Sequence, residues 1–190
     1  MRPAVHAGSF VSIGSPWRLV RLGLHVLVSE GIANDLVKVG AIVLAGLLVV
    51  MLLRALGVLG AGNEGTRLGG AWDTGEDVNV GLLAACGVFA FAFAWLVAWP
   101  YVLPWYDGLG WAALALLPIR SMVVPALDWL LLTRTAALAF GYLPARGITM
   151  PADLHWLQSV VRTGVTPVIL LAVTVALVMV LRPRGMRAPA

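Results

Sequence analysis

Apolar stretches long enough to cross a bilayer alternate along the chain with short polar breaks. Val78 to Trp99 carries no charge and stops at Pro100. About 20 apolar residues cover the hydrocarbon thickness of a bilayer, so this segment predicts a transmembrane helix. Val37 to Leu59 is apolar apart from Lys38 and Arg54 and predicts another, with Arg54 near enough to its end to snorkel and Gly57, Gly60, Gly62 and Gly65 closing it. Val165 to Leu181 predicts a last span. Between them, Leu109 to Phe140 is interrupted by Pro118 and Arg120 and contains Pro125, Asp128 and Arg134. One kinked crossing and two half-helices both account for that pattern.

Ahead of the spans, Pro16 to Ser29 sets Arg18, Arg21, His25 and Ser29 at spacings of three and four, with Leu and Val around the rest. Ser15 suits the cap and Pro16 the first turn of an amphipathic helix of about four turns. Such a helix fits the membrane interface, with a place in a larger bundle as the close alternative. Within Val78 to Trp99, Ala90, Ala94 and Ala98 form a small-residue stripe for close helix packing. The pattern therefore predicts an all-α integral membrane protein of about four to five hydrophobic helices. An amino-terminal segment, 1–36, precedes a membrane domain, 37–190, with spans near 37–59, 78–99, 109–140 and 165–181.

Composition agrees with this pattern. Of 190 residues, 61% are hydrophobic and 12% charged, and the mean hydropathy is +0.93. A water-facing domain carries about a quarter charged residues, so a soluble fold is excluded. The net charge of +4 comes from scattered Arg and the single Lys38, not from the concentrated basic face that binds nucleic acid. Cys86 is the one cysteine, and His6, His25 and His155 share no ligand spacing, so neither a disulfide, a metal site nor a cofactor is expected. Met1 to Ser15 has no signal-peptide organisation and reads as a chain beginning partway into something longer. Arg182, Arg184 and Arg187 place the carboxyl terminus in the cytoplasm by the positive-inside rule. A single kinked crossing would then put the amino terminus inside, whereas two half-helices would put it, and the Trp99 to Trp111 passage, outside.

Three places carry potential chemistry. Trp99, Tyr101, Trp105, Tyr106 and Trp111, with Pro100 and Pro104 among them, suit an interfacial aromatic belt on irregular backbone, which membrane depth tolerates only inside protein or along a cavity. The loop holding Glu64, Asp73, Glu76 and Asp77 has the carboxylates for a divalent cation or acid–base work, although solvated loop charge is the commoner use of such a cluster. Asp128 and Arg134 are six residues apart, so on one helix they face different ways and look to other partners.

The runs WPYVLPWYDGLGWAALALLP, LDWLLLTRTAALAFGYLPAR and VVRTGVTPVILLAVTVALV resemble the carboxyl-terminal region of actinobacterial polyprenol-phosphate-mannose-dependent α-1,6-mannosyltransferases, of the GT-C glycosyltransferase superfamily, and the upstream SPWRLVRLGL resembles their middle portion. The resemblance covers nearly the whole chain from about Ser15 onward. It implies part of a GT-C-like helical bundle in the cell membrane and a hexosyltransferase that moves mannose from a polyprenyl phosphate to a cell-envelope glycan. It also implies that the catalytic acidic residue lies in an amino-terminal half outside this chain. On that basis the chain is expected to be inactive alone, its catalytic residues are unknown, and its partners are membrane lipid, the polyprenyl-phosphate sugar donor and the missing half or another membrane subunit.

A lipid-phosphate sugar needs cations for the phosphate, apolar walls for the prenyl chain and aromatic faces for the sugar. Arg120, Arg134 and Arg146 are the candidates for the phosphate, Trp105, Tyr106 and Trp111 for the sugar or prenyl chain, and Asp107 for a sugar hydroxyl. The alternatives are a non-catalytic small membrane scaffold, held through its small-residue faces such as Ala94 or Gly40, and a transporter subunit with Asp128 and Arg134 on a polar path.

Overall fold

The computed structural model describes residues 11–59, 80–117, 123–142 and 151–182. Among them it is all α, with no strand, as expected of an all-α membrane protein. Six α-helices form it: α1 (Pro16–Leu24), α2 (Glu30–Ala55), α3 (Val80–Ala98), α4 (Asp107–Leu114), α5 (Val124–Tyr142) and α6 (Thr166–Leu181). α2, α3 and the helical run Ala152–Leu181 that ends in α6 are long and apolar enough to cross a membrane.

Local sequence accounts for most of the helix boundaries. Ser15 caps α1, its hydroxyl accepting from the Trp17 amide, and Pro16 occupies the first turn, where its missing N–H costs nothing. α1 is shorter than the Pro16 to Ser29 pattern predicts. It closes at Leu24, and a turn then brings Arg21 to Glu30 at 2.9 Å and leaves Arg21 Nε 3.2 Å from His25 Nε2. α2 begins at Glu30, well before the apolar run opens at Val37, because an acidic first turn suits the helix dipole. At its far end Gly57 takes φ 76°. That left-handed residue lets the amides of Gly57 and Val58 donate to Arg54 and Leu53, so the last carbonyls are satisfied without a side chain.

The expected break at Pro100 is present: α3 ends at Ala98, and Pro104–Tyr106 forms a single 3₁₀ turn. Of the two readings of 109–140, the structure contains two separate helices, α4 and α5, joined through residues 118–122. They run antiparallel: Asp107 meets Arg134, Gly110 meets Leu131, and Ala113, Leu114 and Leu117 share a cluster with Leu127. α4 is eight residues long, about 12 Å at 1.5 Å per residue, too short to cross a bilayer. The polar stretch before α6 is also helical, a nine-residue π-helix, Leu157–Val165, preceded by a 3₁₀ turn at Ala152–Leu154.

One apolar cluster joins α2 (Leu48, Leu52), α3 (Phe89, Ala90, Phe93, Ala94), α4 (Ala113, Leu114), α5 (Leu127, Leu131) and α6 (Leu177, Leu181). The alanine stripe of α3 is thus consumed inside the chain, and Gly40 is covered by its own Trp17, whose ring would lie 3.0 Å from a Cβ there. At one end of the bundle the start of α1, the ends of α3 and α5 and the start of α6 converge. Thr166 is central to that end. A Cβ at Gly141 would lie 2.5 Å from its hydroxyl oxygen, a Cβ at Gly14 3.3 Å from its methyl group, and the hydroxyl donates to the Ala137 carbonyl at 3.3 Å.

Candidate functional site

The last turn of α3 and the irregular backbone from Trp99 to Leu103 leave carbonyls without intrahelical donors, so these need donors from elsewhere. Each second carbonyl finds one. Leu96 accepts from Arg134 Nη2 at 2.7 Å, Ala98 from Trp17 Nε1 at 2.6 Å, Pro100 from the Ser12 amide at 3.1 Å and Val102 from the Ser12 hydroxyl at 3.2 Å. The amino-terminal segment therefore braces the end of α3.

Below this brace lies the one buried ion pair among the described residues. Asp107, 0% exposed at the first position of α4, receives Arg134, 3% exposed, from α5. Asp107 Oδ2 also accepts from the Thr135 hydroxyl at 2.9 Å, and Thr135 in turn accepts from Trp111 Nε1 at 3.3 Å. The Leu131 carbonyl competes for the same hydroxyl proton at 2.9 Å. Two charges leave water at a cost that only close geometry and further hydrogen bonds repay, and here both carboxylate oxygens and both terminal guanidinium nitrogens are engaged. The amino end of α4 adds its positive dipole beneath the carboxylate. Gly110 makes the approach possible: a Cβ there would lie 2.9 Å from Leu96 Cδ1 and 3.2 Å from Leu131 Cδ1. A small cavity lined by Pro16, Val97, Val102, Leu170, Val173 and Thr174 reaches Arg134.

Above the pair, five rings form a continuous wall. Trp99 stacks on Trp95 at 6.3 Å, Trp95 meets Tyr106 at 5.6 Å, Tyr106 meets Trp105 at 6.2 Å, and Trp105 packs edge-on against Tyr142 at 5.0 Å. Trp105 keeps 55% of its surface exposed and Trp99 41%, so the wall presents aromatic faces outward.

The sequence-derived candidates thus separate. Trp105 and Tyr106 stand in the wall, whereas Trp111, Asp107 and Arg134 belong to the buried network, where Asp107 and Arg134 are spent on one another. Arg120, Arg146 and the acidic loop of Glu64, Asp73, Glu76 and Asp77 lie outside the described residues. Arg134 finds its partner away from Asp128, as their spacing implies, and Asp128 sits on the exposed face of α5. Thr135, Trp17, Trp95 and Tyr142 enter the arrangement without having been singled out; their contacts cross between helices, where spacing along one helix carries no signal.

The chain matches no protein-family model, no curated protein and no solved structure.

Proposed function

We propose that the chain is the membrane-helix portion of a polyprenyl-phosphate-mannose-dependent mannosyltransferase, in which the aromatic wall receives the lipid-linked sugar. The observation that supports this reading is the wall itself. Five rings in contact stand at the end of a membrane bundle, with Trp105 turned outward, where an amphipathic sugar lipid needs an aromatic face for the sugar and apolar walls for the prenyl chain. The Asp107–Arg134 pair holds the wall in position and leaves phosphate recognition to other cations, Arg120 and Arg146 among them. The catalytic acidic residue belongs to helices outside this chain, so the chain binds donor without turning it over.

In the same reading the chain is multi-pass. The brace, the wall and the start of α6 share one end of the bundle, and Arg182 follows the last residue of α6 at the other. The positive-inside rule then puts the carboxyl terminus in the cytoplasm and the aromatic end outside, where a lipid-linked mannose is used.

The test is a titration of the chain in phospholipid nanodiscs with polyprenyl-phosphate mannose and, separately, phosphate-free polyprenol, followed by tryptophan fluorescence. Saturable quenching by the phosphate lipid alone is expected, weakened up to about tenfold by Trp105→Ala, the worth of a ring contact. Quenching that is absent, or indifferent to Trp105→Ala, would overturn it. A second reading, a non-catalytic membrane protein, draws support from the sealing of Asp107 and Arg134 and predicts no donor binding at all.

A further inference from the structure

α5 buries Leu127, Leu131, Arg134 and Leu138 against the bundle. Its opposite face sets Pro125, Asp128, Trp129, Leu132, Ala136 and Phe140 at spacings of three and four, all exposed. Asp128 is the only charge on that face, and among the described residues no cation or hydrogen-bond donor meets it.

Its height can be read from Gly110, where Leu96 of α3 and Leu131 of α5 meet the same point. Both side chains lean toward their helix amino termini, and α3 and α5 run the same way, so the two leucines are level. Asp128, one turn before Leu131, is then level with Phe93, five residues inside the Ala98 end of α3, or about 7.5 Å at 1.5 Å per residue. α3 is long and apolar enough to cross a membrane. A carboxyl group facing lipid at that height has lost water and gained nothing, and intramembrane acids therefore face a partner, a cavity or another helix.

We propose that this face of α5 docks a transmembrane helix of another membrane protein that carries an arginine, lysine or histidine opposite Asp128. Charge complementarity selects that occupant. A second copy docking the same face two-fold would set Asp128 against Asp128, and lipid alone would leave the carboxyl bare. Trp129, Leu132 and Phe140 give the apolar contact above and beside the charge, and Ala136 permits close backbone approach. The proposal does not rest on donor binding and can fail or hold independently of it.

The experiment places the photoreactive residue p-benzoylphenylalanine at Leu132 of the full chain, in its native membrane, and identifies the adduct by peptide mass spectrometry. The expected adduct is one peptide from a membrane helix with a basic residue inside its apolar run. Asp128→Lys is expected to cut the yield about tenfold or more, and reversing the partner's basic residue to glutamate to restore it. Asp128→Asn, nearly isosteric and with no polar partner to lose among the described residues, is expected to lower the yield while leaving the unfolding temperature of the purified chain unchanged. Adducts with lipid only, with a second copy only, or with a yield indifferent to both substitutions would overturn the proposal.

Discussion

Arg134 of α5 reaches Asp107 at the first position of α4, and its other terminal nitrogen holds the carbonyl of Leu96 on α3. One guanidinium therefore ties three helices together at the point where α3 loses its regular hydrogen bonds. Removing either partner strands a charge in an apolar interior, whereas removing both does not.

The first prediction follows from that asymmetry. Arg134→Ala and Asp107→Ala should each destabilise the folded chain by about 3–5 kcal/mol. Asp107→Leu combined with Arg134→Met should recover most of that loss, since an apolar pair of similar volume needs no desolvation. Unfolding in detergent followed by near-ultraviolet circular dichroism checks the cycle. Single variants as stable as the parent would show that the pair is not holding α4 in place.

Trp17 performs two separable tasks, covering Gly40 with its ring and donating from its indole nitrogen to Ala98. Trp17→Phe loses the second and, because the atoms over Gly40 are the outer indole carbons Cη2 and Cζ3, part of the first, and should cost about 1–3 kcal/mol. Trp17→Ala loses both and should cost about 3–5 kcal/mol. The same unfolding measurement distinguishes them: equal losses would mean that the ring left in the phenylalanine variant contributes nothing, and a Trp17→Phe variant as stable as the parent would mean that the bond to Ala98 contributes nothing.

Gly141 and Thr166 are in direct steric competition, with only 2.5 Å between a Cβ at Gly141 and the Thr166 hydroxyl oxygen. Gly141→Ala should destabilise by about 1–3 kcal/mol through overpacking. In a Thr166→Ala background, where that oxygen is gone, the cost of Gly141→Ala should fall, giving a coupling of about 0.5–3 kcal/mol in a double-mutant cycle. Additive effects would place the strain elsewhere.

Features governed by contiguous chain were legible in the sequence. The uncharged run to Trp99, the proline break after it, the Ser15–Pro16 helix start and the glycine stop after Arg54 each follow from composition or local backbone rules, and each recurs in the helices found. What the sequence did not show is what lies between helices. Asp107 and Arg134 are 27 positions apart and Trp17 and Ala98 are 81 apart, and helical periodicity is silent beyond a turn or two. The same limit left 109–140 open between one crossing and two helices. The outcome depends on Gly110 letting α4 lie against Leu96 and Leu131, a tertiary fact. Helix onsets were misplaced where polar residues remained helical, at Glu30 and across Leu157–Val165, because hydropathy reports burial and not backbone conformation.

The brace of Ser12 and Trp17 on the end of α3 also sets an order of events during synthesis. A ribosome adding about 5–20 residues per second releases Ala98 roughly 4–16 s after Trp17, given the 81 positions between them. Through that interval the indole of Trp17 and the backbone of Ser12 have no native acceptor. Whatever shelters nascent membrane helices must therefore keep the α1 segment waiting until α3 has emerged. A chain stalled short of Pro100 is a natural substrate for quality control, since Ser12 and Trp17 then still lack their partners.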